Sequence, residues 1–206
     1  MNTLKTWLLS GLSAASITLS THDAHSTPML WSVESGGNGH SYDVVLAPGG
    51  IDWATANSLA IAGGGYLATL TSSQENNFVF GLVSNNPSAW RPGVNIDIVG
   101  PWLGGFQPDG SPEPAGNWQW VTGEPFAYTN WEFSEPNNTW DTGEDRLILW
   151  GIGGTPTPKW NDLYHADPRT PPVAFIVEYV PEPSAVSLVL PAALLTYLRK
   201  RRNHNL

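Results

Sequence analysis

The sequence contains no cysteine. That excludes disulfides as a source of stability, thiolate metal sites and cysteine nucleophiles. Basic residues are scarce. Between Thr27 and Pro183 only Arg91, Arg146, Lys159 and Arg169 are basic, against seventeen acids, a balance of −13. Such a segment repels nucleic-acid phosphates and anionic membranes and attracts cations. Long apolar runs are lacking as well. The run Ala185 to Leu198 is interrupted by Pro191 and falls short of the roughly 20 residues of a full helical membrane span, but with Val180 and its flanks it reads as a short transmembrane segment with a basic end. Histidines are few, and His40 and His165 show neither metal nor catalytic-triad spacing.

Tryptophan is abundant: ten of the eleven lie between Thr27 and Pro183. A core rich in aromatics is the expected substitute for cross-links, and roughly 150 residues suffice to bury one. Residues 1–26 have one early Lys5, an apolar run from Trp7 to Leu19, then small and polar residues, the layout of a secretory signal with a cleavage zone near Ala24 to Ser26. The folded part is therefore expected over residues 27–179.

Within it, Ser41 to Leu46 reads as a strand, and Trp31 with Val33 as a short one. Asp52 is placed to N-cap a helix from Trp53 to Ala62, with Trp53, Ala56, Leu59 and Ala60 on one face. Tyr66 to Leu70 reads as a strand. Ser72-Ser73-Gln74-Glu75 is a capping box that opens a helix to about Val83, burying Phe78, Val79, Leu82 and Val83. Ser84 to Pro101 reads as a long loop. Strands follow at Trp102 to Phe106, Asn117 to Thr122, Asp145 to Trp150 and Ala174 to Tyr179. Helices first and strands after give an α+β fold.

The stretch Trp131 to Asp162 concentrates oxygen-bearing side chains: Glu135, Asn137, Glu144, Asn161 and Asp162. Carboxylates and carboxamides without histidine or cysteine suit a hard cation, with calcium the first candidate. Asp141 and Asn138 are candidates for a second ion. Close carboxylates such as Glu135 and Glu144 also resemble a glycosidase acid–base pair, but the cation accounts for both, and no catalysis is expected.

The order Trp53-Ala54-x-Ala56, Gly65 to Leu70, Trp102-Leu103-Gly104-Gly105, Trp118-Gln119-Trp120-Val121-Thr122-Gly123, Glu135-Pro136-Asn137, Gly143-Glu144-Asp145, Trp160-Asn161-Asp162 and Phe175 to Tyr179 resembles a C-type lectin-like domain. That resemblance implies two helices, a small antiparallel sheet and a long ligand-loop region. The family's cysteines are replaced by Ala60, Arg146 and Val177, with the fourth position near Tyr164 or His165. It also implies a cis bond before Pro136 and a calcium (Ca2+) site. Glu135 pairs there with Asn137 and Glu144 with Asn161, Asp162 completes the cage, and two coordination positions are left for vicinal hydroxyls. The Glu-Pro-Asn form implies equatorial 3,4-diols, as in mannose or glucose. Val180-Pro181-Glu182-Pro183-Ser184, the apolar run and Arg199-Lys200-Arg201-Arg202 resemble a PEP-CTERM sorting signal over residues 180–206. This implies an exosortase-type processing protease as partner, membrane attachment only through the tail before processing, and the envelope or extracellular matrix of a Gram-negative-type bacterium. The expected partner is a glycan or exopolysaccharide, with no nucleic acid. The alternative is a structural or protein-binding matrix component that uses the fold without binding sugar.

Overall fold

The structure, a computed structural model, describes residues 27–93, 95–139 and 143–181. The expected signal segment, nearly all of the sorting tail and Asp141 lie outside the described residues. Among the described residues no helix is long and apolar enough to cross a membrane.

In chain order the elements are β1 (Met29–Leu30), β2 (Ser41–Leu46), α1 (Trp53–Ala62), β3 (Tyr66–Leu67), α2 (Ser73–Val83), β4 (Arg91–Pro92), β5 (Ile98–Phe106), β6 (Gln119–Trp120), β7 (Arg146–Ile152), β8 (Thr155–Leu163) and β9 (Ala174–Tyr179). The main sheet runs β1-β2-β9-β5-β7-β8, with β3 on β9 and both β4 and β6 on β5. It is mixed rather than wholly antiparallel, because β5 runs parallel to β9 where Trp102 faces Phe175.

Both helices start where local chemistry places them. The Asp52 carboxylate accepts the Thr55 N–H at 2.8 Å, and the Ser72 hydroxyl accepts the Glu75 N–H at 3.2 Å. Glu75 reaches back past the cap to the N–H and hydroxyl of Thr71, at 2.7 and 2.9 Å. The helices cover opposite faces of the sheet. Along β7, Leu147 and Leu149 join the core beneath α2 while Ile148 joins the one beneath α1, as the two-residue strand period requires. In β9, Ala174 and Ile176 part from Phe175 and Val177 in the same way.

The missing cross-links are replaced differently. Ala60 and Val177 are both buried in the core on the α1 side. Arg146 instead lays its guanidinium over the rings of Trp53 and Phe106, 4.7 and 5.7 Å from their centroids, and pairs with Asp145 at 2.8 Å.

Several expectations are corrected. Leu59 is about half exposed, since the α1 face that meets the sheet is the narrower Trp53, Ala56, Ala60 stripe. Phe78 and Leu82 are only partly buried. Trp31 and Val33 form no strand: Met29 and Leu30 do, and Ser32 caps a 3-10 turn at Val33–Ser35. The Tyr66 to Leu70 strand stops at Leu67, because the Thr69 N–H turns to the Glu178 carboxylate. The strand expected over Asn117 to Thr122 is reduced to β6. Ser84 to Pro101 is not one loop. It holds a 3-10 turn at Pro87–Ala89, then β4, which folds back on the start of β5.

Candidate functional site

Two features of the sheet assemble the site. The first is the β7–β8 hairpin. Ile152 faces Thr155, and the two residues between, Gly153 and Gly154, have φ of 59° and 74°. Positive φ at both turn positions is what a tight two-residue hairpin demands, and glycine supplies it without strain. The hairpin sets Leu147 against Asp162 and Ile148 against Asn161, so Glu144, just before β7, arrives beside the end of β8. Strand β8 was absent from the sequence reading because Pro156 and Pro158 interrupt it. Prolines are tolerated there because β8 is the edge strand of the sheet path. The Gly-Gly pair between two apolar runs was the signal that could have revealed it.

The second feature is Trp160. It is fully buried, touches Trp120, Phe126, Tyr128 and Trp131 with ring centroids 5.5 to 6.2 Å away, and donates its indole N–H to Asn76 at 2.7 Å. Its backbone accepts the Glu132 N–H at 2.9 Å and donates to the Asn130 carbonyl at 3.0 Å. This short bridge ties the incoming loop to β8 and carries Glu135 and Asn137 to the same place. The Glu135–Pro136 peptide bond is cis, as expected.

All five predicted residues are thereby brought together. Glu135, Asn137, Glu144 and Asn161 line one cleft of about 220 Å³. Asp162 lies behind it, fully buried. Its carboxylate accepts the N–H groups of Asn137 and Asn138 at 2.9 to 3.1 Å. Glu144 accepts the Thr139 N–H at 2.8 Å, and the Asn138 side chain accepts the Glu144 N–H at 3.0 Å. Asn161 donates its amide to the Asp162 carbonyl, and the Thr139 hydroxyl donates to the Asn137 side-chain carbonyl.

The electrostatics are those of acids held close with little compensation. Burial, then Asp162 and Glu144, push the Glu135 carboxyl up to about 8. Burial and the Asp162 charge push Glu144 up to about 7, against the opposing Thr139 N–H and the Arg169 charge. Burial also raises Asp162, despite its two backbone donors. One oxygen of Glu135, Oε2, is buried with no hydrogen-bond partner. Among the described residues no three histidine or acidic side chains form a ready-made cation cage. Carboxamides and main-chain carbonyls would therefore have to contribute to any coordination shell. The donor set is all oxygen and includes an unpaired buried carboxylate oxygen, which fits a hard cation.

The cleft is wider than this set. Asn95 and Asp97, from the turn between β4 and β5, line it, as do Trp150 on β7 and Arg169 and Thr170 from the β8–β9 connection. Nothing local in the sequence marks these residues, because they come from three segments that only the sheet order joins.

No family model matches the chain. A perlucin-like protein of Mytilus galloprovincialis is 29% identical over 119 residues, 57% of this chain and 65% of the relative. The C-type lectin lectoxin-Lio1 of Erythrolamprus poecilogyrus is 34% identical over 100 residues, 48% of this chain and 51% of the relative. The 30 kDa spicule matrix protein of Hemicentrotus pulcherrimus is 36% identical over 66 residues, 32% of this chain and 18% of the relative. The chain thus spans less than two thirds of the length of each of these relatives. Among solved structures, the C-type lectin CEL-I from Cucumaria echinata superposes with a TM-score of 0.52 at 20% identity, covering 69% of this chain and 91% of that one. The cow C-type carbohydrate-recognition domain of CD23, crystallised in the presence of a GlcNAc2Man3 oligosaccharide, gives 0.51 at 20% identity, covering 69% and 89%. At such identities the likeness establishes architecture alone, and together with the element order it is unambiguous: this chain has the C-type lectin-like fold.

Proposed function

We propose that the protein is an exported, calcium-dependent carbohydrate-binding protein of the bacterial envelope or extracellular matrix. The observation that carries this reading is the convergence of Glu135, Asn137, Glu144 and Asn161 on one cleft, with Asp162 behind them. These five residues would hold the ion. Bound calcium supplies a hard Lewis acid with coordination positions open to two vicinal hydroxyls. The chain's own residues do the discriminating. A carboxylate accepts from each sugar hydroxyl and a carboxamide donates to it, so the acid–amide order Glu135, Asn137 and Glu144, Asn161 selects which diol geometry fits. Following the Glu-Pro-Asn order, mannose- or glucose-type diols are the expected ligands. A single sugar engages few atoms and competes with water, so affinity per site is low, and several copies or a polymer are needed for firm retention.

Export and envelope location rest on the sequence of residues 1–26 and 180–206, whose basic end and Val-Pro-Glu-Pro-Ser opening favour processing by an exosortase-type protease. No catalytic role is proposed. Release of reducing sugar by the purified protein, abolished by Glu144→Gln, would reverse that. Similarity to a spicule matrix protein favours a second reading, a matrix component that uses the fold without sugar.

A glycan array with and without chelator separates the two. Calcium-dependent retention that disappears in Glu135→Gln and in Asn161→Ala is expected of the lectin. Retention indifferent to chelator overturns it, and a calorimetric titration with no calcium binding at millimolar concentration overturns the cation site.

A further inference from the structure

We propose that the cleft takes two consecutive units of a neutral glycan, the second seated on Trp150 between Asp97 and the Arg169–Thr170 rim. This rests on the sugar-binding reading above and extends it to a second subsite. The cleft, about 220 Å³, is far larger than an ion and its protein ligands require. Its floor beyond the acid–amide end is apolar: Val99, Trp150 and Leu163 line it, and Val99 and Trp150 are cross-strand partners on β5 and β7. Trp150 is only half-buried and lines the cleft.

The walls beside that floor are polar and held in place. The Arg169 guanidinium contacts both Asp167 oxygens at 3.0 and 3.1 Å, and its N–H meets Asp167 at 2.8 Å. The Thr170 hydroxyl reaches the same carboxylate at 3.3 Å. Asp167 is itself buried, so it fixes the rim. Asp97, on the same cleft, sits in a turn closed by the Gly93 N–H on its carbonyl at 2.9 Å. The Asp97 carboxylate lies 3.4 Å from the Gly153 N–H of the β7–β8 hairpin.

A pyranose ring offers an apolar C–H face and a rim of hydroxyls. An aromatic floor flanked by a carboxylate, a guanidinium and a hydroxyl matches both parts. The unit is neutral because the cleft's acids outnumber Arg169, which is already matched by Asp167, and because the −13 balance of residues 27–183 repels an anionic sugar.

The test is a calorimetric titration of the calcium-loaded protein with methyl mannoside, mannobiose and a mannuronate disaccharide. Mannobiose should bind about tenfold tighter than methyl mannoside, and Trp150→Ala should remove most of that gain while changing the methyl mannoside affinity by less than about twofold. Asp97→Ala, on the rim, should lower the gain about threefold, and it serves if the tryptophan variant does not fold. Equal affinity for the mono- and disaccharide in the wild type overturns the second subsite, as does an unchanged ratio in both variants. Tighter binding of the mannuronate disaccharide overturns its neutrality. Absence of calcium-dependent binding of methyl mannoside overturns the primary site itself, a different result from any of these.

Discussion

Two clusters of buried carboxylates sit in this fold, and they are supplied with partners in different ways. Glu75 and Glu178 meet around the Tyr42 hydroxyl, where α2, β2 and β9 converge. Glu75 accepts from Tyr42 at 2.6 Å and Asn38 at 2.8 Å on one oxygen, and from the Thr71 N–H and hydroxyl on the other. Glu178 meets His40 at 2.5 Å and Tyr42 at 3.2 Å on one oxygen and accepts the Thr69 N–H at 2.9 Å on the other. Every oxygen there has a donor from within the chain. In the Glu135, Glu144, Asp162 cluster the donors come mainly from one loop, Asn137 to Thr139, and one Glu135 oxygen has none. The same residue type thus fastens the scaffold in one place and, in our reading, awaits a ligand in the other. The supply of donors decides which.

The largest test of that contrast is to delete one acid from each cluster. Glu178→Ala leaves the Thr69 N–H and His40 without their acceptor inside the protein, while Tyr42 keeps Glu75. It should cost about 3 kcal/mol of stability. Glu135→Gln in chelator removes an acid that burial and its neighbours disfavour in charged form, and should leave stability unchanged or slightly raised. Urea unfolding of both variants reads the difference. Equal losses would erase it.

A smaller effect follows from pH. Glu135, raised to about 8, and Glu144, raised to about 7, hold protons in the folded chain that the unfolded chain releases near the ordinary glutamate value. Between about pH 5 and 8 the folded state therefore binds more protons, so without calcium stability should fall as pH rises through that window. Glu178 and Asp162 are raised too and add the same sign. The Glu135→Gln, Glu144→Gln double variant should therefore flatten the slope in part. Calcium competes with those protons, so its affinity should rise over the same window. Urea midpoints at pH 5.5 and 8.5, with chelator and with calcium, check both signs, and a chelator-treated protein more stable at pH 8.5 contradicts the raised values.

The two clusters also differ in how far the sequence disclosed them. The residues gathered at the cleft were legible because they sit in short, ordered motifs: Glu135-Pro136-Asn137, Gly143-Glu144 and Trp160-Asn161-Asp162. Both helix starts were legible to the residue because Asp52 and Ser72 cap them. The Tyr42, Glu75, Glu178 network was not, since its members are solitary residues on three elements that only the β2–β9 register and the placement of α2 bring together. Strand β8 was hidden by its prolines, and the cleft's far wall by the β4–β5 fold-back. What local chemistry encodes could be read, and what pairing between distant strands creates could not.

Loop order gives the finest comparison. The Asn137 to Thr139 segment is held by main-chain N–H groups donated to Asp162 and Glu144, while the corresponding anchor of the scaffold cluster, Thr69 to Thr71, lies between two sheet and helix elements. If calcium engages Glu135, Asn137 and Glu144 together, it adds a second hold on the Ser134 to Asp145 loop and should slow its proteolysis several-fold, by mass action on the closed form. Cleavage elsewhere should not change, because the scaffold cluster has no place for the ion. A limited digest followed by mass spectrometry locates the cuts with calcium and with chelator. Uniform protection of the whole chain would mean that calcium stabilises the fold globally, and the distinction between a self-sufficient scaffold and a ligand-dependent loop would have to be abandoned.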